Sequence, residues 1–264
     1  MLAVGLAAVS THPLRGQSPQ NDGCSSGEAQ SRIAACTRIL ERAGLDIESR
    51  VAAHVNRGNV QDAIGQFDLA LKDYQSALAV QPDSWFALRS RAAAYYRHNQ
   101  LADSLRDLSH AVQALPDDPS PLRLRAQLYI EMGQTARAVE DFSKVLDRSP
   151  GDLSTRQARG LALAATGDHA RAILDFNRVL ERDPRMRVAR AARAYSLFQT
   201  RQYRLAILDW DQLLRDDPSQ MQILYCRGAA KVLIGDESGR ADMDSVRQQK
   251  PEVAAAESTA CPAT

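Results

Sequence analysis

Cysteine and histidine are the side chains of this sequence that could bind a metal ion or act as a nucleophile. The four cysteines, Cys24, Cys36, Cys226 and Cys261, form no CxxC pair and belong to no Cys/His cluster. Zinc sites and dithiol centres are typically built from such closely spaced residues. The five histidines lie in no recognisable motif, and the sequence has no glycine-rich phosphate-binding run. We therefore expect no metal, no cofactor, no small-molecule substrate and no enzymatic activity.

Two charged side chains recur with a period of 34 residues. The arginines are Arg57, Arg91, Arg125, Arg159, Arg193 and Arg227, and the aspartates are Asp73, Asp107, Asp141, Asp175 and Asp209. Each aspartate follows an arginine by 16 residues. Two antiparallel helices would place the arginine and the aspartate of a block at the same height along the helix axes. Arginine pairs bidentately with carboxylates. We therefore predict structural Arg–Asp pairs, within a repeat or across to the next, with a charged ligand-binding ladder as the alternative.

The same period defines the elements that must position these pairs. Proline recurs every 34 residues, so residues 51–220 divide into five equal blocks: Pro82, Pro116, Pro150, Pro184 and Pro218. Position 8 of each block is glycine or alanine, which allows two helices to approach closely. Position 20 is small and position 24 is large and apolar, the spacing of one buried helix stripe. Between the two segments stand mostly glycine or asparagine, which tolerate a left-handed helix end. Each block therefore predicts helix, turn, helix and proline.

This block resembles the tetratricopeptide repeat (TPR), which has small residues at positions 8 and 20, an aromatic residue at 24 and proline at 32. The resemblance implies an all-α fold, a right-handed α-solenoid of antiparallel helix pairs. Its five full repeats would be residues 51–84, 85–118, 119–152, 153–186 and 187–220. The flanking segments would be a signal-like or disordered stretch, a capping helix, a partial sixth repeat or C-terminal cap, and a disordered tail: residues 1–23, 24–50, 221–250 and 251–264.

Position 4 departs from the family pattern in three blocks. The family has tryptophan or leucine there, but this chain has His54, Arg156 and Arg190. These polar residues predict looser packing or an exposed polar seam, which the apolar stems of arginine could still cover.

The resemblance also implies where a partner would bind. In TPR proteins, positions 2, 5, 9, 12 and 13 of the first helix point into a concave groove. Aromatic and arginine side chains, which dominate binding energy, are prominent at these positions here. The expected groove residues are Phe86, Arg89, Tyr96, Arg97, Arg123, Gln127, Glu131, Gln157, Tyr195, Phe198, Gln199 and Tyr225. The arginines in adjacent blocks predict an acidic or C-terminal peptide as the ligand. Ordinary solvated helix surface is the alternative.

The first residues favour export. After Met1 come eight small or apolar residues, too few to span a bilayer, which needs about 20. They suit the h-region of a signal peptide with a cut near Ala8–Val9–Ser10. No basic region precedes them, so a disordered tail is the alternative.

The stretch from Cys24 to Gly58 resembles the N-terminal cap of exported bacterial TPR proteins. The similarity lies in Ala35–Cys36–Thr37 and in Asn56–Arg57–Gly58 at the start of the first repeat. It implies a Cys24–Cys36 disulfide and a periplasmic or secreted protein. Reduced thiols in the cytoplasm are the alternative, and a second bridge between the remaining two cysteines is left open.

Charge and composition limit the kind of partner. With 33 basic and 32 acidic residues, the net charge of +1 gives no bulk attraction for nucleic acid. No segment is long and apolar enough to suggest a transmembrane span. We therefore expect a non-catalytic module, an exported adaptor, that holds a peptide or helix of a partner protein in its groove. The alternative is a self-associating structural scaffold of a bacterial envelope assembly, joined through residues 221–250.

Overall fold

The structure is a computed structural model that describes residues 23–261. These residues form fourteen α-helices and no strand, which confirms the all-α prediction for this part of the chain. Apart from Gly23, the signal-like segment lies outside the described residues. The helices are α1 (Ala29–Leu40), α2 (Ile47–Ala63), α3 (Phe67–Val80), α4 (Trp85–Arg97), α5 (Leu101–Ala114), α6 (Pro119–Glu131), α7 (Thr135–Arg148), α8 (Leu153–Ala165), α9 (His169–Arg182), α10 (Arg187–Gln199), α11 (Tyr203–Asp216), α12 (Met221–Leu233), α13 (Ser238–Gln249) and α14 (Pro251–Ala260).

The chain divides into two compact units between Met132 and Gly133. Unit 1 holds α1 to α6, and α2 packs against α3 as α4 does against α5. Unit 2 holds α7 to α14, with α8 against α9, α10 against α11 and α12 against α13. Short turns join the two helices of each pair, so they run antiparallel. The 34-residue period therefore predicted the helix pairs of each unit.

Capping residues and left-handed turns set the helix ends. Ser84, Asp118 and Asp152 stand 34 residues apart, and each side chain accepts a hydrogen bond from a backbone N–H of the helix that follows. Such caps satisfy donors that the first helical turn leaves free. The turns within the pairs have positive φ, and two of the residues there are not glycine: Asn99 at 58° and Arg201 at 60°. The sequence pattern thus fixes where the helices stop and start.

Glycine at position 8 brings the two helices of a repeat into contact. A Cβ added to Gly160 would lie 2.7 Å from Cε1 of Phe176, and one added to Gly58 would lie 2.9 Å from Cε1 of Tyr74. Both aromatic residues are fully buried. The predicted close approach at position 8 is confirmed, and it forms the core between the paired helices.

The two ends of the described chain differ from the sequence-based expectation. Residues 24–50 do not form one capping helix, because α1 ends at Leu40 and Ile47 already begins α2. The tail after residue 250 is not disordered throughout, since Pro251–Ala260 form α14, which packs against α12 and α13. Alanine-rich segments have high helix propensity, and buried Ala254 gives this helix a contact with the core.

Candidate functional site

The periodic arginines and aspartates pair within four of the repeats. The shortest N···O distances are 2.8 Å for Arg57–Asp73, 2.7 Å for Arg91–Asp107, 2.8 Å for Arg159–Asp175 and 2.6 Å for Arg193–Asp209. In each case two guanidinium nitrogens donate to the two carboxylate oxygens. Arg227 makes the equivalent pair with Asp242, one position early. Asp73, Asp107, Asp175 and Asp209 are buried, and Asp242 is partly buried. The prediction of paired charges is confirmed for these repeats.

The same arginines also connect neighbouring repeats. Nη1 of Arg159 donates to Ser143 at 3.2 Å, and Nη1 of Arg193 donates to Asn177 at 2.8 Å. In both cases the acceptor lies on the second helix of the preceding repeat. At the N-terminus, Thr37 of α1 accepts from Arg57 in the same way at 2.9 Å. Because Nε, Nη1 and Nη2 of Arg57, Arg159 and Arg193 each donate to another side chain of the protein, the ladder serves to hold the repeats together.

His54 at position 4 joins the charge pair of the first repeat. Its Nδ1 lies 2.8 Å from Oδ1 of Asp73, which also receives two hydrogen bonds from Arg57. Burial alone would raise the pKa of Asp73, but the hydrogen bonds from His54 and Arg57 outweigh it and lower that pKa. The aspartate therefore stays ionised in the core.

Arginine takes the same role at position 4 in unit 2. Nη1 of Arg156 lies 3.4 Å from Asp175, and Nη2 donates to the carbonyl of Pro150 at 2.6 Å. Arg190 makes the matching contacts with Asp209 and the carbonyl of Pro184. The expectation of loose packing or an exposed seam was wrong for both arginines and for His54. A buried carboxylate binds each of these side chains, and a loop carbonyl also binds each arginine.

The expected groove residues of unit 1 lie on α4 and α6. We call Phe86, Arg89, Tyr96, Arg97, Arg123, Gln127 and Glu131 the groove face of unit 1. Arg97 is more than half exposed and donates through Nε to Asp62 of α2 at 2.9 Å. His98 reaches the same carboxylate at 3.0 Å. These contacts place the ends of α2 and α4 beside each other.

Arg89 differs from the other arginines described for α4. Its side chain is half-buried, and its guanidinium carbon lies 6.0 Å from the ring centroid of Trp85. No aspartate or glutamate within residues 23–261 forms an ion pair with it. Burial therefore lowers the pKa of Arg89 without any opposing carboxylate. Removing a cation from water without a counterion is costly, so this guanidinium is suited to receive an anionic group from a partner.

Two of the expected groove residues of unit 2 are buried and cannot contact a partner. Phe198 and Tyr225 are buried, with 5% and 3% of their surface exposed. Phe198 packs against Trp210 and Tyr203, so both positions serve the core, and the prediction that these two line a groove was wrong. We call the remaining three, Gln157, Tyr195 and Gln199, the groove face of unit 2. All three are neutral, and Tyr195 is 37% exposed.

One side-chain cluster was not found by sequence reasoning. Cys226, Glu257 and Cys261 have ligand atoms within 4.8 Å of one another, the one such metal-competent group within residues 23–261. Both cysteines are paired in a disulfide, and so are Cys24 and Cys36. Glu257 and Cys261 are one helical turn apart, but nothing in their spacing points to Cys226. The expectation of no metal site rested on spacing along the chain, and folding brings Cys226 next to two residues that are distant from it in sequence.

No helix within residues 23–261 has both the length and the apolar character needed to cross a membrane.

Two segments match family models of known repeats. Residues 51–84 and residues 123–186 each match a model described as tetratricopeptide repeat. A comparison with curated protein sequences gives no match.

Several solved structures resemble this chain. YrrB, described as a TPR protein with an unusual peptide-binding site, is 18% identical, with 73% of this chain and 97% of YrrB covered and a TM-score of 0.61. A tetratricopeptide repeat protein from Parabacteroides merdae is 20% identical, with coverages of 88% and 92% and a TM-score of 0.56. Pseudomonas aeruginosa PilF is 15% identical, with coverages of 78% and 94% and a TM-score of 0.58. At these identities the likeness extends to the fold alone.

Proposed function

We propose, from the premise that the chain is a tetratricopeptide repeat protein with an α-solenoid fold, that it is a non-catalytic module binding an acidic segment of a partner protein. The binding surface is the groove face of unit 1. YrrB is described as having a peptide-binding site. For this chain, the support for peptide binding comes from its own side chains.

Arg89 is the observation that carries this proposal. It is half-buried, it stacks near Trp85, and no carboxylate of the described chain neutralises it. Phe86 is three residues before it on α4, and helical spacing places both side chains on one face. An anionic side chain flanked by an apolar one would meet both groups. Arginine beside aromatic residues is typical of sites that contribute most of the binding energy.

The other charges of the groove face restrict the partner further. Glu131 of α6 is close enough to Tyr96 to raise the pKa of that phenol, after the larger effect of burial. A continuous polyanion would be repelled there. The proposed ligand is therefore a peptide with a local acidic group near Arg89, rather than nucleic acid, whose backbone carries charge along its whole length.

Export to an oxidising compartment, periplasmic or extracellular, is part of the proposal. Two disulfides, one at each end of the repeats, support it, because such bonds persist mainly outside the reducing cytoplasm. A cytoplasmic location with reduced thiols is the alternative. Self-association through residues 221–250 has weaker support, because α14 packs against α12 and α13 there.

Charge reversal tests the groove assignment. The probe is a fluorescein-labelled peptide that alternates glutamate with leucine, titrated with the oxidised full chain. We expect Arg89→Glu with Arg123→Glu to weaken binding by at least about 30-fold, since losing one partner of a desolvated charge pair costs about 2–5 kcal/mol. Fluorescence anisotropy measures the affinity, and circular dichroism verifies that the variant is folded.

The matched control reverses two charges on second helices. Lys72 and Arg106 both occupy position 22, on α3 and α5, and both are exposed. Lys72→Glu with Arg106→Glu changes the net charge equally and should leave the affinity within about twofold, as expected for distant surface charges screened by salt. Equal losses in both double variants, or no loss in the groove variant, would show that the groove face of unit 1 is not the binding site.

A further inference from the structure

The C-terminal disulfide joins α12 to the end of α14. Cys226 lies in α12, and Cys261 follows the last residue of α14. Between residues 251 and 257, Ala254 is the one buried side chain, and Val253 is partly buried. Burying one alanine and part of one valine contributes little apolar stabilisation. The disulfide therefore adds a covalent link to the packing of α14 on α12 and α13.

A carboxylate lies against this disulfide. Oε2 of Glu257 is 3.4 Å from Sγ of Cys226. A sulfur in a disulfide carries no proton, so it cannot donate a hydrogen bond to that oxygen. Within residues 23–261, no lysine, arginine or histidine forms an ion pair with Glu257. Burial raises the pKa of this carboxyl group, and the oxidised protein offers it no cationic partner among the described residues.

We propose that the reduced protein binds Zn²⁺ through the thiolates of Cys226 and Cys261 and the carboxylate of Glu257. Their ligand atoms already lie within 4.8 Å of one another. Zinc takes sulfur ligands at about 2.3 Å and carboxylate oxygen at about 2.0–2.2 Å, in tetrahedral geometry. The two sulfurs would separate to about 3.7 Å in such a site, a change that side-chain rotation can supply. A water molecule would complete the fourth position.

The chemistry of the conversion balances with a dithiol as reductant. The dithiol gives two electrons and two protons to the Cys226–Cys261 bond, which breaks into two thiols, and the dithiol becomes a disulfide. Zinc then displaces the two thiol protons to solvent and accepts the Glu257 carboxylate as its third protein ligand. The ion would replace the covalent link between α12 and α14, so the C-terminal cap would stay in place in either redox state.

The N-terminal disulfide provides a matched comparison within the same molecule. Cys24 and Cys36 are also buried and also paired. The charged side chain beside that pair is cationic, since Nε of Arg32 donates to the carbonyl of Cys24 at 3.4 Å. No carboxylate or histidine of the described chain completes a metal-competent group there. Reduction should therefore create a zinc site at the C-terminal pair and not at the N-terminal pair.

Metal titration of the reduced full chain tests the proposal. The protein is reduced with a phosphine without oxygen, and Zn²⁺ is added in competition with a chromophoric chelator. We expect one equivalent bound in the wild type and in the Cys24→Ser/Cys36→Ser variant. The Cys226→Ser/Cys261→Ser variant should bind none, and Glu257→Gln should bind at least about tenfold more weakly, since even outer-shell partners are worth 10–100-fold. Co²⁺ in place of Zn²⁺ should show the charge-transfer absorption of two thiolate ligands.

Hydrogen exchange provides a second readout that does not depend on the variants folding. Zinc should restore amide protection to Pro251–Ala260 in the reduced wild-type protein, while the protection of α2 stays unchanged. The proposal is overturned if the Cys24→Ser/Cys36→Ser variant binds no zinc after reduction. It is also overturned if zinc binding survives in the Cys226→Ser/Cys261→Ser variant or is unaffected by Glu257→Gln.

Discussion

Units 1 and 2 share the side chains that hold repeats together and differ in the side chains that a partner would meet. Both have bidentate Arg–Asp pairs between positions 7 and 23. The groove face of unit 1 contains three arginines and one glutamate, whereas that of unit 2 contains two glutamines and one tyrosine. The charges that hold the repeats together therefore recur in both units, whereas the charges proposed to meet a partner lie in unit 1. This difference places the expected specificity in unit 1.

Two arginines on α4 show the same contrast at close range. Arg91 donates two hydrogen bonds to Asp107, at 2.8 and 2.7 Å. Arg89, two residues earlier, has no such carboxylate and lies over Trp85. Helical geometry directs the two side chains to different faces. An arginine-rich composition alone cannot separate these roles, but recurrence can, since arginine occupies position 7 of all six blocks and position 5 of only two, as Arg89 and Arg123.

The largest expected effect is on the free energy of unfolding. It should differ between an aspartate that binds one arginine and an aspartate that binds two. Asp107 binds one arginine, whereas Asp175 binds both Arg156 and Arg159. Removing a buried partner typically costs about 3–5 kcal/mol. We expect Asp107→Asn to lower the free energy of unfolding by about 3 kcal/mol and Asp175→Asn by about 5 kcal/mol.

Urea denaturation can follow each unit separately, because Trp85 lies in unit 1 and Trp210 in unit 2. Trp85→Phe leaves Trp210 to report on unit 2, and Trp210→Phe does the converse. A double-mutant cycle of Arg159→Ala and Asp175→Ala should show a coupling of about 1–3 kcal/mol. No coupling, or a larger loss for Asp107→Asn than for Asp175→Asn, would contradict the structural role of the ladder.

The second expected effect is on the acid stability of unit 1. The folded pKa of Asp73 is lowered, because the hydrogen bonds from His54 and Arg57 outweigh the opposing effect of burial. The stabilisation is therefore complete above the unfolded pKa of about 3.9 and is lost as pH falls through the folded pKa. We expect the stability gap between wild type and Asp73→Asn to shrink on acidification.

Urea titrations from neutral pH downwards, read from Trp85 in a Trp210→Phe background, check this expectation. The Trp210 signal of unit 2, read separately in a Trp85→Phe background, serves as the control and should not respond to Asp73→Asn. A gap that widens at acid pH would contradict the assigned direction of the Asp73 pKa.

The smallest expected effect compares the two left-handed turns that lack glycine. Arg201 in unit 2 has φ of 60° and Asn99 in unit 1 has φ of 58°. Asparagine visits this region readily, whereas other side chains pay about 1–2 kcal/mol. Glycine removes that strain, but it also raises the conformational entropy of the unfolded chain, which destabilises the folded protein by about 0.4–1 kcal/mol. Arg201→Gly should therefore stabilise by about 0.5–1 kcal/mol, measured by urea denaturation. A larger gain for Asn99→Gly would contradict this account.

Much of the fold could be predicted because each signal repeats. The prolines, the small residues at position 8 and the turn residues all recur at the same interval, so each supports the others. The Arg–Asp pairs were predictable for the same reason. The role of His54, Arg156 and Arg190 could not be predicted. A polar residue at a position that is apolar in the family suggests poor packing, and only the structure shows the carboxylate that binds it.

The parts that lie outside the period could not be predicted in the same way. Helix α14 has few apolar residues, so no hydrophobic stripe marks it in the sequence. The cluster of Cys226, Glu257 and Cys261 depends on α14 folding back onto α12. The burial of Phe198 and Tyr225 follows from local packing against Trp210 and Arg247 rather than from their position in the repeat.

Arg89 is proposed to meet the partner while the periodic arginines hold the scaffold together. This division of roles is tested by NMR of the arginine Nε–Hε groups and the backbone amides during titration with the glutamate–leucine peptide. We expect a saturable shift of the Arg89 side-chain resonance, with those of Arg159 and Arg193 unchanged. Binding that leaves Arg89 unmoved, or that shifts the backbone amides of Tyr195 and Gln199 instead, would contradict this assignment.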